Sequence, residues 1–240
     1  QSGSNSNTLT FRYTIAAGDT DTDGISINAN ALNLSKGTIS DVAGNAAVTT
    51  NLAVAANAST KVDSTLPTLA STEVLNGNVV LTFSEDLGGT NVTPSFFTLS
   101  AGGAVQTAAI SGKTVTLTPT TAISANGAGV TVNTYNDGST TDQATGTIQD
   151  VAGNDADAFS NAAATKVTAT GPIMLAAGST FTTAVLSGTT DDALTGNAAA
   201  NTLTGNSGAN RIIGGGGADN LTGLGGVDTF AYINSDSLLA

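Results

Sequence analysis

A nine-residue period runs through the chain from Ser187 to Ala231, where five successive blocks align without a gap. Glycine opens the last four blocks, and the eighth position of every block is apolar. Glycine permits the positive φ angles of tight turns, and one apolar side chain per block suits a short strand that faces a thin core. The alternative interpretation, a flexible linker rich in Gly, Asn and Thr, gives no reason for this regularity. The period therefore predicts stacked turns whose core is formed by Leu194, Leu203, Ile212, Leu221 and Phe230.

The sixth position of the blocks carries oxygen-bearing side chains: Asp192, Asn201, Asn210, Asp219 and Asp228. Calcium prefers cages of carboxylate and carbonyl oxygens, and glycine lets backbone carbonyls approach such an ion closely. We therefore predict calcium ligands in the turns, with weaker binding where asparagine replaces the acid. The predicted ligand set also includes the turn glycines Gly214, Gly217, Gly223 and Gly226.

The blocks Gly214–Thr222 and Gly223–Ala231 follow the pattern G-G-x-G-x-D-x-U-x most closely. This segment resembles the RTX calcium-binding nonapeptide repeats, which implies a parallel β-roll with structural Ca²⁺. Each block buries only one apolar side chain, so we expect metal binding to supply much of the folding free energy. The resemblance also implies that the roll stays unfolded at the low calcium level of the cytosol and folds outside the cell.

The composition narrows the chemistry that is open to the chain. It has no cysteine and no histidine, so a thiolate nucleophile, a Cys- or His-ligated zinc site and a histidine general base are excluded. We therefore expect no enzyme activity. The 18 acidic and 6 basic residues give a net charge of −12, which suits divalent cations and disfavours nucleic acid and anionic membranes. No apolar run approaches the ~20 residues of a membrane span, so membrane insertion is not expected.

The N-terminal 65 residues contain a predicted strand and a candidate cation-binding turn. Leu9–Ile15 alternates apolar and polar residues, as a half-buried strand does. Asp19–Gly24 has the D-x-D-x-D-G spacing that opens an EF-hand loop, but Asn30 stands where the bidentate Glu belongs. A calcium-binding turn between strands and a solvated acidic loop are the two interpretations. The candidate ligands are Asp19, Asp21 and Asp23.

The middle of the chain is a series of short β-rich segments separated by Gly, Asn, Pro or Ser. Strands at this spacing, without any helical pattern, predict an antiparallel sandwich. The predicted strands are Val79–Phe83, Phe96–Leu99, Val105–Ile110, Thr114–Leu117 and Val130–Tyr135.

An internal repeat links the N-terminal and middle regions. Gly37–Asn45 recurs as Gly146–Asn154 with eight of nine positions identical, which predicts two related domains. The series Val80–Leu87, Thr114–Thr118 and Ile148–Asn154 resembles the Ig-like repeats of large bacterial surface adhesins, including the repeat named after a cyanobacterial swimming-motility protein. The resemblance implies Ig-like sandwiches.

The predicted fold class is all-β, with Ig-like antiparallel sandwiches followed by a parallel RTX roll. Residues 1–65 are assigned to a partial Ig-like sandwich and residues 66–170 to an Ig-like adhesin-repeat sandwich. Residues 171–186 are assigned to a linker and cap, and residues 187–240 to the roll with a short C-terminal tail. A first sandwich of this length lacks strands, and we expect that they belong to a longer protein or come from another copy of the chain.

These features predict a calcium-dependent structural segment of a secreted or cell-surface bacterial protein: an adhesin, a surface-layer protein or a filament. Its expected partners are calcium ions and, if strands are shared, other copies of itself in a fibre or layer. The alternative is the non-catalytic C-terminal RTX region of a secreted hydrolase that is exported by type I secretion.

Overall fold

The computed structural model describes residues 8, 10–16, 18–35, 37–50, 53–138 and 146–232. Within these residues the fold is all-β, with an Ig-like sheet region and a parallel solenoid of about four turns. The chain divides into two compact units, Gln1–Thr65 and Leu66–Ala240. The predicted C-terminal tail lies outside the described residues.

The first unit is held by isolated bridges and turns. The predicted strand Leu9–Ile15 is wrong for its described part, because Thr10–Ile15 forms no regular strand, and Leu9 lies outside the described residues. The apolar side chains of this segment are exposed, with Phe11 at 62% and Tyr13 at 77%. An alternating segment needs a ladder partner and a facing sheet to bury its apolar side, and the described part of this unit offers neither. Bridges between its described residues join Asp21 to Val62, Ile27 to Val54 and Ser40 to Ala46.

The second unit contains fifteen strands among its described residues, with one 3-10 helix, Pro94–Phe96, between the second and third. The strands are β1 (Leu69–Leu75), β2 (Asn78–Phe83), β3 (Phe97–Leu99), β4 (Val105–Ser111), β5 (Thr114–Pro119), β6 (Thr131–Tyr135), β7 (Phe159–Ala163), β8 (Lys166–Ala169), β9 (Ile173–Met174), β10 (Thr183–Leu186), β11 (Ala193–Thr195), β12 (Thr202–Thr204), β13 (Arg211–Ile213), β14 (Asn220–Thr222) and β15 (Thr229–Phe230).

Strands β1–β8 build the Ig-like sandwich. One of its layers has the order β8-β1-β2-β5-β4, and the other has the order β3-β6-β7. The strand pairs are antiparallel except for β1 and β8, which run parallel. β5 shows why these segments form strands: Val115 and Leu117 are fully buried, whereas the threonines that alternate with them are only partly buried. β-branched residues in this alternation fit a pleated surface with one covered face.

Four aromatic rings fill the space between the two layers. Tyr135 lies 5.1 Å, centroid to centroid, from both Phe97 and Phe159, and Phe159 lies 6.3 Å from Phe83. The Tyr135 hydroxyl accepts the Ile148 N–H at 2.8 Å. Burial raises the pKa of this phenol far above its usual range, so Tyr135 stays protonated as part of the core.

One sheet continues from the sandwich into the solenoid. β8 pairs with β1 on one side and with β10 on the other, both parallel. Across the first of these pairs Lys166 lies opposite Glu73, and their Nζ and Oε2 atoms are 2.6 Å apart. The result is an eight-stranded sheet in the order β14-β12-β10-β8-β1-β2-β5-β4. The solenoid therefore begins on a preformed strand of the sandwich.

The solenoid has two parallel sheets that the chain visits alternately. β10, β12 and β14 extend the sandwich sheet, and β9, β11, β13 and β15 form the opposite sheet. Leu194, Leu203 and Ile212, at the eighth position of their blocks, are fully buried between the sheets. Leu221 is partly buried and Phe230 is 44% exposed, so the core thins toward the last described turn. Residues 171–186, predicted as linker and cap, carry β9, β10 and the buried Phe181.

Within the described ranges, no helix has the length and apolar character that crossing a membrane requires.

Candidate metal centre

The loops of the solenoid are arranged in two rows. Row one consists of the loops from β11 to β12 and from β13 to β14. Row two consists of the loops from β10 to β11, from β12 to β13 and from β14 to β15. Within a row, neighbouring loops are 18 residues apart and hydrogen-bond to each other, as Asn201 N–H does to Asp219 and Asn210 N–H to Asp228. Row one comprises residues 196–201 and 214–219, and row two comprises residues 187–192, 205–210 and 223–228.

The glycines allow these loops to stack closely. Gly217 and Gly226 have φ of 90° and 88°, where L side chains are strained. A Cβ at Gly217 would also lie 2.8 Å from the backbone of Ala199 and Ala200 in the neighbouring loop. A Cβ at Gly214 or Gly223 would contact the carboxylate of the aspartate at the sixth position of the same block. Gly214 and Gly223 therefore lie beside the predicted carboxylates, whereas Gly217 and Gly226 lie against the backbone of the neighbouring loops.

Asp219 and Asp228 join neighbouring loops. The Oδ1 atom of Asp219 accepts the Asn201 N–H at 2.9 Å, and the Oδ1 atom of Asp228 accepts the Asn210 N–H at 2.9 Å. Their Oδ2 atoms lie over Gly214 and Gly223. Each carboxylate thus has one oxygen used in the protein and a second oxygen directed into its own glycine loop.

Carbonyl and amide oxygens lie against Gly196 and Gly205 in the same way. A Cβ at Gly205 would meet the Gly223 carbonyl oxygen at 2.5 Å and would contact Asn210 Oδ1, and a Cβ at Gly196 would contact the Gly214 carbonyl and Asn201 Oδ1. Oxygen donors of mixed type around glycine backbone are the donor set that calcium takes. The residues present therefore fit calcium: Asp219 and Asp228 would be its anionic ligands, and loop carbonyls would supply further oxygens.

Asn201 and Asn210 lie in the loops as predicted, but their amides close their own turns. Both residues are 2% exposed. Asn201 Oδ1 accepts the Asn197 N–H and Asn210 Oδ1 accepts the Asn206 N–H, each at 2.8 Å. Sequence reasoning missed Asn197 and Asn206, although the same residue at the second position of consecutive blocks was a readable signal.

In the first loop of row two, a residue outside the predicted set makes the contact between loops. Asp191 Oδ1 accepts the Ala209 N–H at 2.7 Å, whereas Asp192 Oδ2 accepts a hydrogen bond from the Thr190 hydroxyl at 2.6 Å. Asp191 is the fifth residue of its block, where the nonapeptide pattern places no ligand. The pair Asp191 and Asp192 gives this loop two adjacent carboxylates.

In the first unit, Asp19, Asp21 and Asp23 are not gathered around one point. Asp19 Oδ2 accepts the Ala16 N–H at 2.8 Å and the Tyr13 hydroxyl at 2.9 Å, and these bonds, the first above all, lower the pKa of Asp19. Asp21 Oδ1 instead accepts the Gly24 N–H at 2.7 Å. The three carboxylates are not among the described groups whose oxygens all lie within 4.8 Å. Calcium binding by this turn stays a prediction.

The repeated nonapeptide forms the same turn in each unit. The Asp150 carboxylate accepts the Asn154 N–H at 2.9 Å and the Asn154 side-chain amide at 2.7 Å, and Asp41 accepts the same two bonds from Asn45 at 2.8 Å. Asp150 is only 3% exposed, and one of its oxygens lies within 4.8 Å of a Glu85 carboxylate oxygen in the sandwich. These acids first of all stabilise a turn.

Comparison with protein families agrees with this geometry. Residues 56–183 match the bacterial Ig-like domain, and residues 188–230 match four copies of the RTX calcium-binding nonapeptide repeat. RTX repeats bind calcium ions structurally, and the combination is typical of secreted or surface bacterial proteins. No curated protein and no solved structure matches the chain.

Proposed function

Because this chain belongs to the bacterial Ig-like domain family and carries RTX calcium-binding repeats, we propose that it is a calcium-dependent structural segment of a secreted or cell-surface bacterial adhesin, surface layer or filament. In this role it forms a rigid all-β structure outside the cell. It carries out no catalysis. The absence of histidine and cysteine from the sequence supports the second part of this proposal.

The observation that carries the proposal is the sheet shared by the sandwich and the roll. A force applied along the chain in a surface protein must pass from one domain to the next. A flexible linker would simply extend under this force. Here β8 is hydrogen-bonded to β1 and to β10, so β-ladders, and not the connecting segment alone, join the two parts. Calcium between the roll loops would extend this stiffness to the end of the solenoid.

The residue assignments follow from the loop geometry. Asp219 and Asp228 supply the carboxylates of the best sites, and the Asp191 and Asp192 pair supplies those of the first loop in row two. Self-association is the second element of the proposal. The isolated bridges of the first unit leave Phe11 and Tyr13 exposed, and strands donated by another copy would cover them.

Stretching single molecules between their termini tests the structural role. In about 1 mM calcium, the range in which extracellular calcium modules bind, the roll should unfold at a distinctly higher force than in excess chelator. Light scattering on the same samples reports self-association. An unfolding force that calcium leaves unchanged would contradict the proposed calcium-dependent structural role.

A further inference from the structure

The loops of the roll fall into two chemical kinds. The inner loops, residues 196–201 and 205–210, have asparagine at both the second and the sixth position of the block. The outer loops, residues 214–219 and 223–228, have aspartate at the sixth position and Gly215 or Leu224, which lack a polar side chain, at the second. A loop of the first kind carries its own hydrogen-bonding groups, and a loop of the second kind carries a charge.

The second inner loop is closed by a buried amide pair. Asn210 Oδ1 accepts the Asn206 N–H at 2.8 Å, and Asn210 Nδ2 donates to Asn206 Oδ1 at 3.0 Å. Asn206 Oδ1 also accepts the Gly208 N–H at 2.8 Å, and Asn206 Nδ2 donates to the Thr190 carbonyl in the neighbouring loop at 3.1 Å. Both asparagines are at most 4% exposed. These bonds satisfy the Asn206 and Gly208 N–H groups and hold the turn closed through groups of the protein itself.

The first inner loop repeats most of this arrangement. Asn201 Oδ1 accepts the Asn197 N–H, Asn197 Oδ1 accepts the Ala199 N–H at 2.9 Å, and Asn197 Nδ2 donates to the Ala176 carbonyl at 3.2 Å. The difference is at Asn201 Nδ2, which is buried and has no hydrogen-bond partner. The two loops therefore share three of these bonds, and they differ at the Nδ2 group of the sixth-position asparagine and at the Ala209 N–H, which Asp191 Oδ1 accepts.

The asparagines also separate like charges. Stacked strands are about 4.8 Å apart, so an unbroken aspartate row would place successive carboxylates about that far from one another. In row two Asn210 lies between Asp192 and Asp228, which doubles the spacing to about 9.6 Å, beyond the Debye length of about 8 Å at physiological ionic strength. In row one Asn201 precedes Asp219. Repulsion between these acids is therefore weak in the metal-free roll.

We propose that the inner loops fold without calcium. Asparagine hydrogen bonds close these loops, and β10, built on the sandwich strand β8, templates the first turns. Calcium then orders only the outer loops, where charge replaces the amides. The metal-free protein is thus a sandwich with a short preformed stub of roll, onto which calcium adds the remaining turns. The ordering of the outer loops by calcium rests on the proposed function, whereas the folding of the inner loops without calcium does not.

Hydrogen exchange of the full chain, with and without calcium, tests the inference. In excess chelator the N–H groups of Asn197, Ala199, Asn206 and Gly208 should exchange slowly, whereas those of the outer loops exchange at least about tenfold faster until calcium is added. Equal, fast exchange in both kinds of loop without calcium would overturn the inference. Slow exchange in the inner loops with no response of the outer loops to calcium would uphold the folding of the inner loops without calcium and contradict the proposed calcium function.

Two aspartate variants isolate the amide pair. In chelator, Asn210→Asp replaces a buried donor by an oxygen that faces Asn206 Oδ1, and it should speed exchange at Asn206 and Gly208 by about tenfold, with calcium restoring protection. Asn201→Asp is the matched control, because it adds the same charge but breaks no Nδ2 hydrogen bond. Equal acceleration by the two variants would show that charge alone acts and would overturn the role of the amide pair.

Discussion

At the scale of single residues, the difference between aspartate and asparagine organises the roll. The sequence identified the sixth position of each block as oxygen-bearing, and all five of these residues lie in the loops. It did not reveal that Asn201 and Asn210 are buried and bonded within their own turns, because that depends on the asparagine four residues earlier. A ligand motif specifies one position, whereas a closed turn needs two compatible side chains.

Removing one carboxylate should weaken calcium binding without disturbing the turn. Asp219→Asn keeps an oxygen that can accept the Asn201 N–H but removes the charge, and we expect about tenfold weaker calcium binding at that site, since ligand charge tunes the affinity. Isothermal titration calorimetry measures the change. Asp157→Asn, which makes the same charge change at an exposed position of the sandwich unit, is the control. Equal effects of the two variants would mean that Asp219 is not a ligand.

The turn at Asp41 should be sensitive to acid. Hydrogen bonds from the Asn45 side chain, and then from its backbone N–H, lower the pKa of Asp41. The pKa of Asp41 is lower in the folded state than in the unfolded state. The stability that the turn contributes is therefore fully present above the usual aspartate pKa and is lost as the pH falls through the lower, folded value. An NMR titration of the Asp41 carboxyl should show a midpoint below that in urea. Asn45→Ala should raise this midpoint, and a midpoint equal to the unfolded one would contradict the assignment.

At the scale of elements, periodicity predicted the interior better than the ends. The eighth-position residues Leu194, Leu203 and Ile212 are fully buried, and strands predicted in the middle of the chain correspond to β2–β6. The alternation at Leu9–Ile15 was misleading, because periodicity reports which face a strand would bury but not whether a partner is present. The sequence also did not reveal that the sheet continues from β8 to β10, because β9 and β10 precede the regular nine-residue blocks.

Shortening a side chain of the solenoid core should reduce stability more where that side chain is more deeply buried. Leu203→Ala removes a fully buried side chain between two parallel neighbours, Ala184 and Leu221, and should destabilise the roll by about 2–5 kcal/mol. Leu221→Ala makes the same chemical change at a partly buried position and should cost less than half as much. Urea unfolding in calcium, followed by circular dichroism, measures both changes. Similar costs would show that the last turns are packed as tightly as the first.

At the scale of the whole second unit, the shared sheet should couple the sandwich to calcium. β2 in the sandwich and β12 in the roll belong to one eight-stranded sheet, so opening the roll exposes the edge of β8 and opening the sandwich removes the template of β10. The predicted division at residues 171–186 did not reveal this, because strand pairing over such distances is not encoded in local pattern. A ligand that binds only the folded state stabilises every part that unfolds with it.

Calcium should therefore protect the sandwich as well as the roll, although its ligands lie only in the roll. At about 100 times the dissociation constant a single site adds about 2.7 kcal/mol, or close to a hundredfold slower global exchange. We expect the amides of Leu81 in β2 and Leu203 in β12 to gain protection by similar factors, and Asp219→Asn to reduce both gains together. If the Leu203 amide alone responds, the sheet is continuous in geometry but not in cooperativity, and β8 is a boundary between two independently unfolding bodies.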